Sequence, residues 1–329
     1  MSKIVRFEKT GDASVLKVTD EPMQQPVEGE VRIRVEAIGL NRAEVLFRQG
    51  LYLEKPALPA RIGYEASGIV DAIGPGVEGI AMGDRVSTIP SFPMSKYGVY
   101  GEQAVVPASA IAHYPENLSP EEGASIWMQY MTAYGALVEF GKMKAGDFVL
   151  VTAASSSVGY AAIQLCKAFG ATCIATTRGA AKKQALLAAG ADHVIVTDEE
   201  DLALRVNAIT DKHGADILFD AVAGPMLTQL AKAAAFGSTL FIYGALSLDT
   251  TPFPLMLSLE KGLSIRGYTL FHINKIPEAQ KRAKTYIYNA LKTGKLKPVI
   301  DKVFPFAELE ESHRYMESNQ QNGKIVVRV

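Results

Sequence analysis

The sequence predicts an α/β protein in which a small β-barrel precedes a doubly wound parallel sheet. Two changes of texture carry that expectation. The first 120 residues alternate short apolar and charged stretches between glycine turns, as antiparallel β structure does. From Ser119 onward, strand-like and helix-like segments alternate, which implies a parallel sheet with helices on its faces. At the centre of the second part, Phe148 to Arg178 reads as one βαβ unit, FVLVTAASSSVGYAAIQLCKAFGATCIATTR.

In chain order, KIVRF, VLKVTD and EVRIRVEAIG read as strands, the last placing Val31, Ile33 and Val35 on one face and charges on the other. A short helix is expected over Asn41 to Gln49, with Asn41 as a candidate N-cap. A loop with Tyr52 leads to RIGYEASGIVDAIGPGVEGIAMGDRV, whose glycine spacing suggests strand, tight turn and strand. SPEEGA supplies an N-cap and an acidic first helical turn. The domain boundary is therefore set at residue 120.

Phe148 to Thr152 is uncharged and does not alternate, as suits a strand buried on both faces. After a turn of small residues, Val158, Ala161, Ala162, Leu165, Cys166 and Phe169 recur at helical spacing until Gly170 stops the helix. The strand Thr172 to Thr177 completes the unit. Such a turn leaves backbone N–H groups at a helix N-terminus, where a diphosphate can sit. The glycine fingerprint is incomplete in ASSSVG, because Ser156 replaces the middle glycine and only Gly159 keeps its place. The flanking strands and helix make this a dinucleotide site.

The end of the second strand indicates which dinucleotide. An NAD site usually has Asp or Glu there, to accept from the ribose hydroxyl. This chain instead has Thr177, Arg178 and then Lys182 and Lys183. Cations suit a ribose 2′-phosphate, Arg178 offering a planar fork and Lys182 a point charge. The competing reading is a solvated loop and first helical turn; NADPH is the favoured cofactor.

Further along, AAKKQALLAAGA, DLALRVNAIT and MLTQLAKAAAF read as helices, and HVIV, DILFDAV, TLFIYG and SIRGYTL as strands. The loops at VAGP and YGALS are expected to line the cofactor crevice. A helix from Pro277, a strand near Val299 to Phe304, the helix FAELEESHRYMES and a closing GKIVVRV are expected to return to the first domain. The expected division is residues 1–120 plus 266–329 against 121–265.

Lys plus Arg number 34 against 35 Asp plus Glu, a net charge of −1, so no broad field recruits nucleic acid or an anionic membrane. MSKIVRFEKTGD carries no apolar targeting segment and no run is long enough to span a membrane, which makes a cytoplasmic protein the default expectation. Cys166 and Cys173 read as small core hydrophobes.

The ordered motifs GLNRAEVLFRQGLY, GYEASGIVDAIGPGV, GDRV, MTAYGAL, ASSSVG, GADHVI, FDAVAG and NGKIVV resemble, over the full chain, the medium-chain dehydrogenase/reductase superfamily, specifically its zinc-free quinone oxidoreductase branch. The resemblance implies a GroES-like β-barrel catalytic domain built from both ends of the chain and a Rossmann domain between them. Two positions that bind zinc in the alcohol dehydrogenases of that superfamily are occupied here by Asn41 and Tyr64. The five histidines are scattered and four closely spaced cysteines are absent, so no metal site is expected.

Without a Lewis acid, hydride transfer favours an acceptor that delocalises its own negative charge, such as a quinone or an α,β-unsaturated carbonyl. By resemblance, Asn41 faces the nicotinamide ribose and substrate, Thr132 fixes the nicotinamide, and Tyr52 and Tyr64 border the cleft, Tyr64 being the candidate donor to the substrate oxygen. Packing of amphipathic rings is the competing reading for both tyrosines. Ser156, Ser157, Val158 and Gly159 are assigned to the diphosphate, and Thr177, Arg178 and Lys182 to the 2′-phosphate. Thr197 stands where many family members stack adenine on a Tyr. Tyr243, Gly244, Ala245, Leu270 and Phe271 are assigned near the nicotinamide. Trp127, Met128 and Tyr130 form either core or an apolar wall.

The resulting expectation is an NADPH-dependent reductase of a small hydrophobic conjugated substrate. The alternatives are an enoyl-thioester reductase, or a cofactor-binding protein with a crystallin-like or RNA-binding role. The branch usually forms homodimers through an edge strand of the Rossmann sheet, for which TLFIYG and SIRGYTL are the candidates.

Overall fold

The strand Glu30–Gly39 is the long axis of the first half of the molecule. Its residues pair antiparallel with Glu65–Ile73 on one side, and with Gln103–Pro107 and Lys324–Arg328 on the other. Irregularities between Arg32 and Ile33 and between Val35 and Ala37 interrupt the regular register. Arg85–Thr88, Ile111–His113 and Ile300–Pro305 complete a seven-stranded sheet, while Ser2–Phe7, Lys17–Glu21 and Ala60–Arg61 form a three-stranded one. The expected alternation along Glu30–Gly39 fails at Arg32, which is buried because Asp71 (2.8 Å) and the Gln24 carbonyl (3.0 Å) satisfy its guanidinium.

The second half is a six-stranded parallel sheet in the order His193–Val196, Thr172–Thr177, Phe148–Val151, Ala215–Asp220, Ala234–Ile242 and Ser264–Gly267. Leu150, Ile174, Ile195, Leu218 and Leu240 meet Val206, Leu227 and Leu230 in one buried cluster. Each such side chain contributes about 1.5–3 kcal/mol by leaving water. The chain between Met226 and Phe236 turns from helix to strand at Ala234, earlier than its alanine content suggests, because Ala234 already pairs with Ala215.

The structure, a computed structural model, describes residues 1–329 and separates into two units, Met1–Met128 with Pro298–Val329, and Gln129–Lys297. The second unit thus starts later and runs further than 121–265. Two features keep residues 266–297 with it. Ser264–Gly267 is hydrogen-bonded to Ala234–Ile242 as the edge strand. The helix Pro277–Lys292 buries Ala279, Ala283, Ile287, Ala290 and Leu291, and its Arg282 pairs with Glu139 at 2.7 Å. Only the last 32 residues belong with the first unit. Of the two strands considered as a sheet edge, TLFIYG is internal and SIRG is the edge. No helix is long and apolar enough to cross a membrane.

Candidate functional site

In the Gln129–Lys297 unit the site grows from the end of Phe148–Val151. Thr152 closes the strand, and Ala153 then takes a left-handed conformation (φ 46°), a strained setting for a residue with a Cβ. Ser156 caps the helix Ser157–Phe169, its Oγ accepting from the Gly159 N–H at 3.1 Å. The Ser157 and Val158 N–H groups lie in the first turn, where no intrahelical acceptor exists. Gly159 has no substitute, since a Cβ there would stand 2.3 Å from the Ala154 carbonyl oxygen. Gly170 ends the helix in the left-handed region, at φ 75°.

The turn is braced from the neighbouring strand. Buried Asp220 accepts from Thr152 Oγ1 at 2.6 Å, and from the N–H groups of Val222 (3.0 Å) and Ala223 (2.8 Å). Thr152 Oγ1 accepts in turn from Ala221 N at 2.9 Å. Burial raises the Asp220 carboxyl, while Thr152 and the two amides oppose the shift. This bond joins the turns that follow Phe148–Val151 and Ala215–Asp220, the second of which contains Ala223 at φ 59°. Asp220 and Thr152 were not singled out from sequence, although FDAVAG contained the signal: a carboxylate at the end of an apolar strand before a glycine turn.

Tyr243 lies beside this brace. Its ring stacks on Phe219 with centroids 4.0 Å apart, and burial together with the Asp220 carboxylate raises its phenol. Its buried hydroxyl lies near Ser156 without completing a hydrogen bond. Gly244 follows, placed so that a Cβ would meet Ala221 O at 2.8 Å, and then the exposed Ala245. Thr132 is buried on the helix Trp127–Tyr134; Leu270 (buried) and Phe271 (half-buried) open the helix Leu270–Asn274. Tyr268 ties these two segments by donating to Met131 O at 3.3 Å. Trp127, whose Nε1 donates to Ser87 Oγ at 2.8 Å, and Tyr130, whose hydroxyl donates to Gln164 Oε1 at 3.0 Å, are buried core residues.

The strand Thr172–Thr177 ends beside the turn. Lys182 Nζ reaches Ser155 Oγ at 3.3 Å, which brings a cation onto the turn before the helix Ser157–Phe169. Arg178 is exposed at the strand's exit, and Thr177 is held from behind by the Thr197 amide, 2.9 Å from its carbonyl. Thr197 is therefore a support for the strand end. Gly159 with its missing side chain, the first-turn amides and the two cations together fit an adenine dinucleotide carrying an extra phosphate.

The first unit presents a different chemistry. Asn41 precedes the helix Arg42–Arg48, and its backbone N–H donates to Glu44 at 2.6 Å. Its side chain belongs to a buried cluster with Glu44, Glu65 and Lys324. Burial pushes the Glu44 carboxyl up to about 7, with Glu65 adding to the rise and Lys324, Asn41 and the Tyr64 amide opposing it. None of the three charged residues was expected at the site. Glu44 had a local signal, standing three residues after an N-cap; Glu65 and Lys324 had none.

Tyr52 and Tyr64 meet with ring centroids 6.3 Å apart, and Phe92 lies 5.8 Å beyond Tyr64. The two phenols are close enough to influence each other's ionisation, and burial is the largest cause raising both. Tyr52 is raised to about 12. Tyr64 is only 1% exposed, so Tyr52, half-buried, is the tyrosine with accessible surface. No group of three or more His, Cys, Asp or Glu side chains is placed to hold a metal ion.

Residues 27–116 match the family model described as alcohol dehydrogenase GroES-like domain, and residues 157–285 the one described as zinc-binding dehydrogenase. Human quinone oxidoreductase is 30% identical over 99% of this chain and 98% of its own length. The rat synaptic vesicle membrane protein VAT-1 homolog is 30% identical over 96% of this chain and 81% of its own. Among solved structures, an NAD-dependent alcohol dehydrogenase aligns with TM-score 0.91 at 34% identity, covering 99% of both chains. Escherichia coli quinone oxidoreductase complexed with NADPH aligns with TM-score 0.91 at 28% identity, covering 99% of this chain and all of that one.

Proposed function

From the premise that the chain belongs to the medium-chain dehydrogenase/reductase superfamily, in its zinc-free quinone oxidoreductase branch, we propose an NADPH-dependent reductase of a quinone or α,β-unsaturated carbonyl. The observation that carries the cofactor choice is the pair of cations after Thr177, Arg178 at the strand exit and Lys182 on Ser155, where an NAD site usually has a carboxylate. When bound, NADPH supplies the hydride. The Ser157 and Val158 amides receive the diphosphate, Ser156 and Gly159 hold the turn open, and Arg178 and Lys182 receive the 2′-phosphate. Thr132, Tyr243, Gly244, Ala245, Leu270 and Phe271 are the candidates of the second unit to serve the nicotinamide end, and Asn41 is the candidate of the first to serve its ribose and the substrate.

The acceptor class follows from what the first unit can supply. Burial keeps both phenols neutral at neutral pH, and Tyr52, half-buried beside Tyr64, has the accessible hydroxyl to donate to a substrate oxygen. Such a donor suits charge already spread over an enolate or phenolate, and is weak support for a localised alkoxide. Asn41 and Tyr64 at the two zinc-ligand positions support a reaction without metal. A second copy of the chain is proposed to pair along Ser264–Gly267, where the neighbouring helix Leu255–Lys261 leaves Leu255, Met256 and Leu259 exposed.

Oxidation of NADPH followed against a panel of quinones, enones and enoyl thioesters tests this reading. Turnover with quinones or enones is expected; turnover with thioesters alone would move the assignment to an enoyl reductase. No NADPH oxidation with any acceptor would contradict enzymatic function. Metal analysis of the same preparation is expected to find no stoichiometric zinc, and one zinc per chain would overturn the metal-free mechanism.

A further inference from the structure

Lys324 is a fully buried ammonium on the last strand, reaching a helix N-terminus far away in sequence. Strand pairing explains how it gets there, since Val326 lies opposite Gly39. Gly39 also leaves room for it: a Cβ there would stand 2.9 Å from Lys324 Cε and 1.9 Å from Ala124 O. Lys324 Nζ donates to Asn41 Oδ1 at 2.6 Å and to Glu65 Oε2 at 2.5 Å. Asn41 Nδ2 faces Glu65 Oε2, Glu44 Oε1 and Gly39 O, each at 3.2 Å. Glu65 Oε1 accepts from Met128 N at 2.8 Å, and Glu44 from the N–H groups of Asn41 and Tyr64.

A buried ion pair is a poor device for stability alone, because apolar residues of similar volume usually do as well. Its geometry does something apolar residues cannot. An ammonium only donates and a carboxylate only accepts, so Lys324 can bind only the amide oxygen of Asn41, and the carboxylates only its NH2. The two hydrogens of Nδ2 are then committed among three internal acceptors. Oδ1 accepts a complete hydrogen bond from Lys324, and the Glu44 N–H of the capping box approaches the Asn41 side chain without completing a second, which leaves Oδ1 a lone pair.

We propose that Lys324 is a positioning residue, which with Glu65 fixes the Asn41 amide so that Asn41 meets its ligand as an acceptor, for a hydroxyl donor. This rests on Asn41 contacting the cofactor or substrate. The same count of charges, two carboxylates on one ammonium, couples the device to pH. Glu44, with its carboxyl near 7, faces Lys324 from the last strand, Glu65 from the adjoining strand and Asn41 at its own helix N-terminus. Nearby lie the phenols of Tyr52, Tyr64 and Tyr100, with Arg48 facing Tyr100 and Glu54 facing the Tyr52–Tyr64 pair.

The test compares N41A, K324M and the double variant K324M/E65Q, which removes the ion pair as a unit and is expected to stay folded. In the double variant the carboxamide introduced at position 65 can donate to Asn41 Oδ1, so the Asn41 amide no longer keeps its original face. The KM for NADPH or acceptor is expected to rise about tenfold, with melting temperature nearly unchanged. In K324M, losing the cation pushes Glu44 up further and moves the neutral limb of the pH profile to higher pH. A folded double variant with the unaltered KM and pH profile would reduce Lys324 to a structural role and overturn the proposal. Unchanged KM values in N41A would instead reject the underlying reading of Asn41.

Discussion

The turn at Ala153–Gly159 is built from backbone amides, small side chains and two left-handed alanines nearby, whereas the Asn41 cluster is built from buried charges. The first holds its shape by sterics, by the Ser156 cap on the Gly159 N–H and by hydrogen bonds from Thr152 to Asp220 and from Lys182 to Ser155. Serines occupy three positions of the turn, whereas a Cβ at Gly159 would stand 2.3 Å from the Ala154 carbonyl oxygen. The second holds its shape by donor and acceptor identity, so each member depends on its partners. Geometry governs the Ala153–Gly159 turn, and protonation governs the Asn41 cluster.

That contrast is sharpest at Gly159. Gly159→Val forces a Cβ against the Ala154 backbone, and cofactor binding measured by calorimetric titration is expected to vanish, with several kcal/mol of stability lost. Unimpaired NADPH binding would show that the turn is not the diphosphate site. Arg178→Ala is expected next, weakening NADPH roughly 10- to 100-fold through loss of a charge-assisted contact. NADH should be almost unaffected; equal losses for both would refute the 2′-phosphate contact. Thr152→Val removes a donor from buried Asp220 and should cost about 1–3 kcal/mol in denaturant unfolding. A neutral result would mean that Asp220 finds its partners elsewhere.

The smallest effects lie in pH dependence, where two buried groups oppose each other. Glu44 is raised to about 7 from 4.5, so its contribution is fully present below 4.5 and is lost as pH rises to about 7. His313 has no hydrogen-bond partner on either nitrogen, and burial with Arg48 nearby lowers it to about 3. Its contribution is present above 6.5 and is lost as pH falls toward 3. Melting curves from pH 4.5 to 6.5 should therefore show Glu44→Gln losing a stabilisation toward low pH, and His313→Leu losing a destabilisation. Parallel curves for both variants and the unaltered protein would contradict these assignments.

The two regions also differ in how legible they were. The strand Thr172–Thr177, the helix before it and the Gly170 stop are local features, so spacing and residue type sufficed; the Ser156 cap is local too but was not read as one. Glu44, Glu65 and Lys324 meet only through the tertiary register of Lys324–Arg328 on Glu30–Gly39, and nothing local marks Lys324 as buried. The extent of the second unit was missed for the same reason, since the pairing of Ser264–Gly267 is non-local. For Tyr64 the sequence left ring packing and a place at the cleft both open; its burial, at 1% exposed beside Phe92, depends on packing that no local pattern shows.

The central claim is that Arg178 and Lys182 read a 2′-phosphate, in a chain that aligns with the same TM-score, 0.91, on an NAD-dependent alcohol dehydrogenase and on an NADPH-bound quinone oxidoreductase. Titration of the unaltered protein with NADPH and NADH under identical salt and pH tests it most directly. NADPH is expected to bind at least roughly tenfold tighter, the value of one charge-assisted contact. Equal affinities, or tighter binding of NADH, would contradict the account.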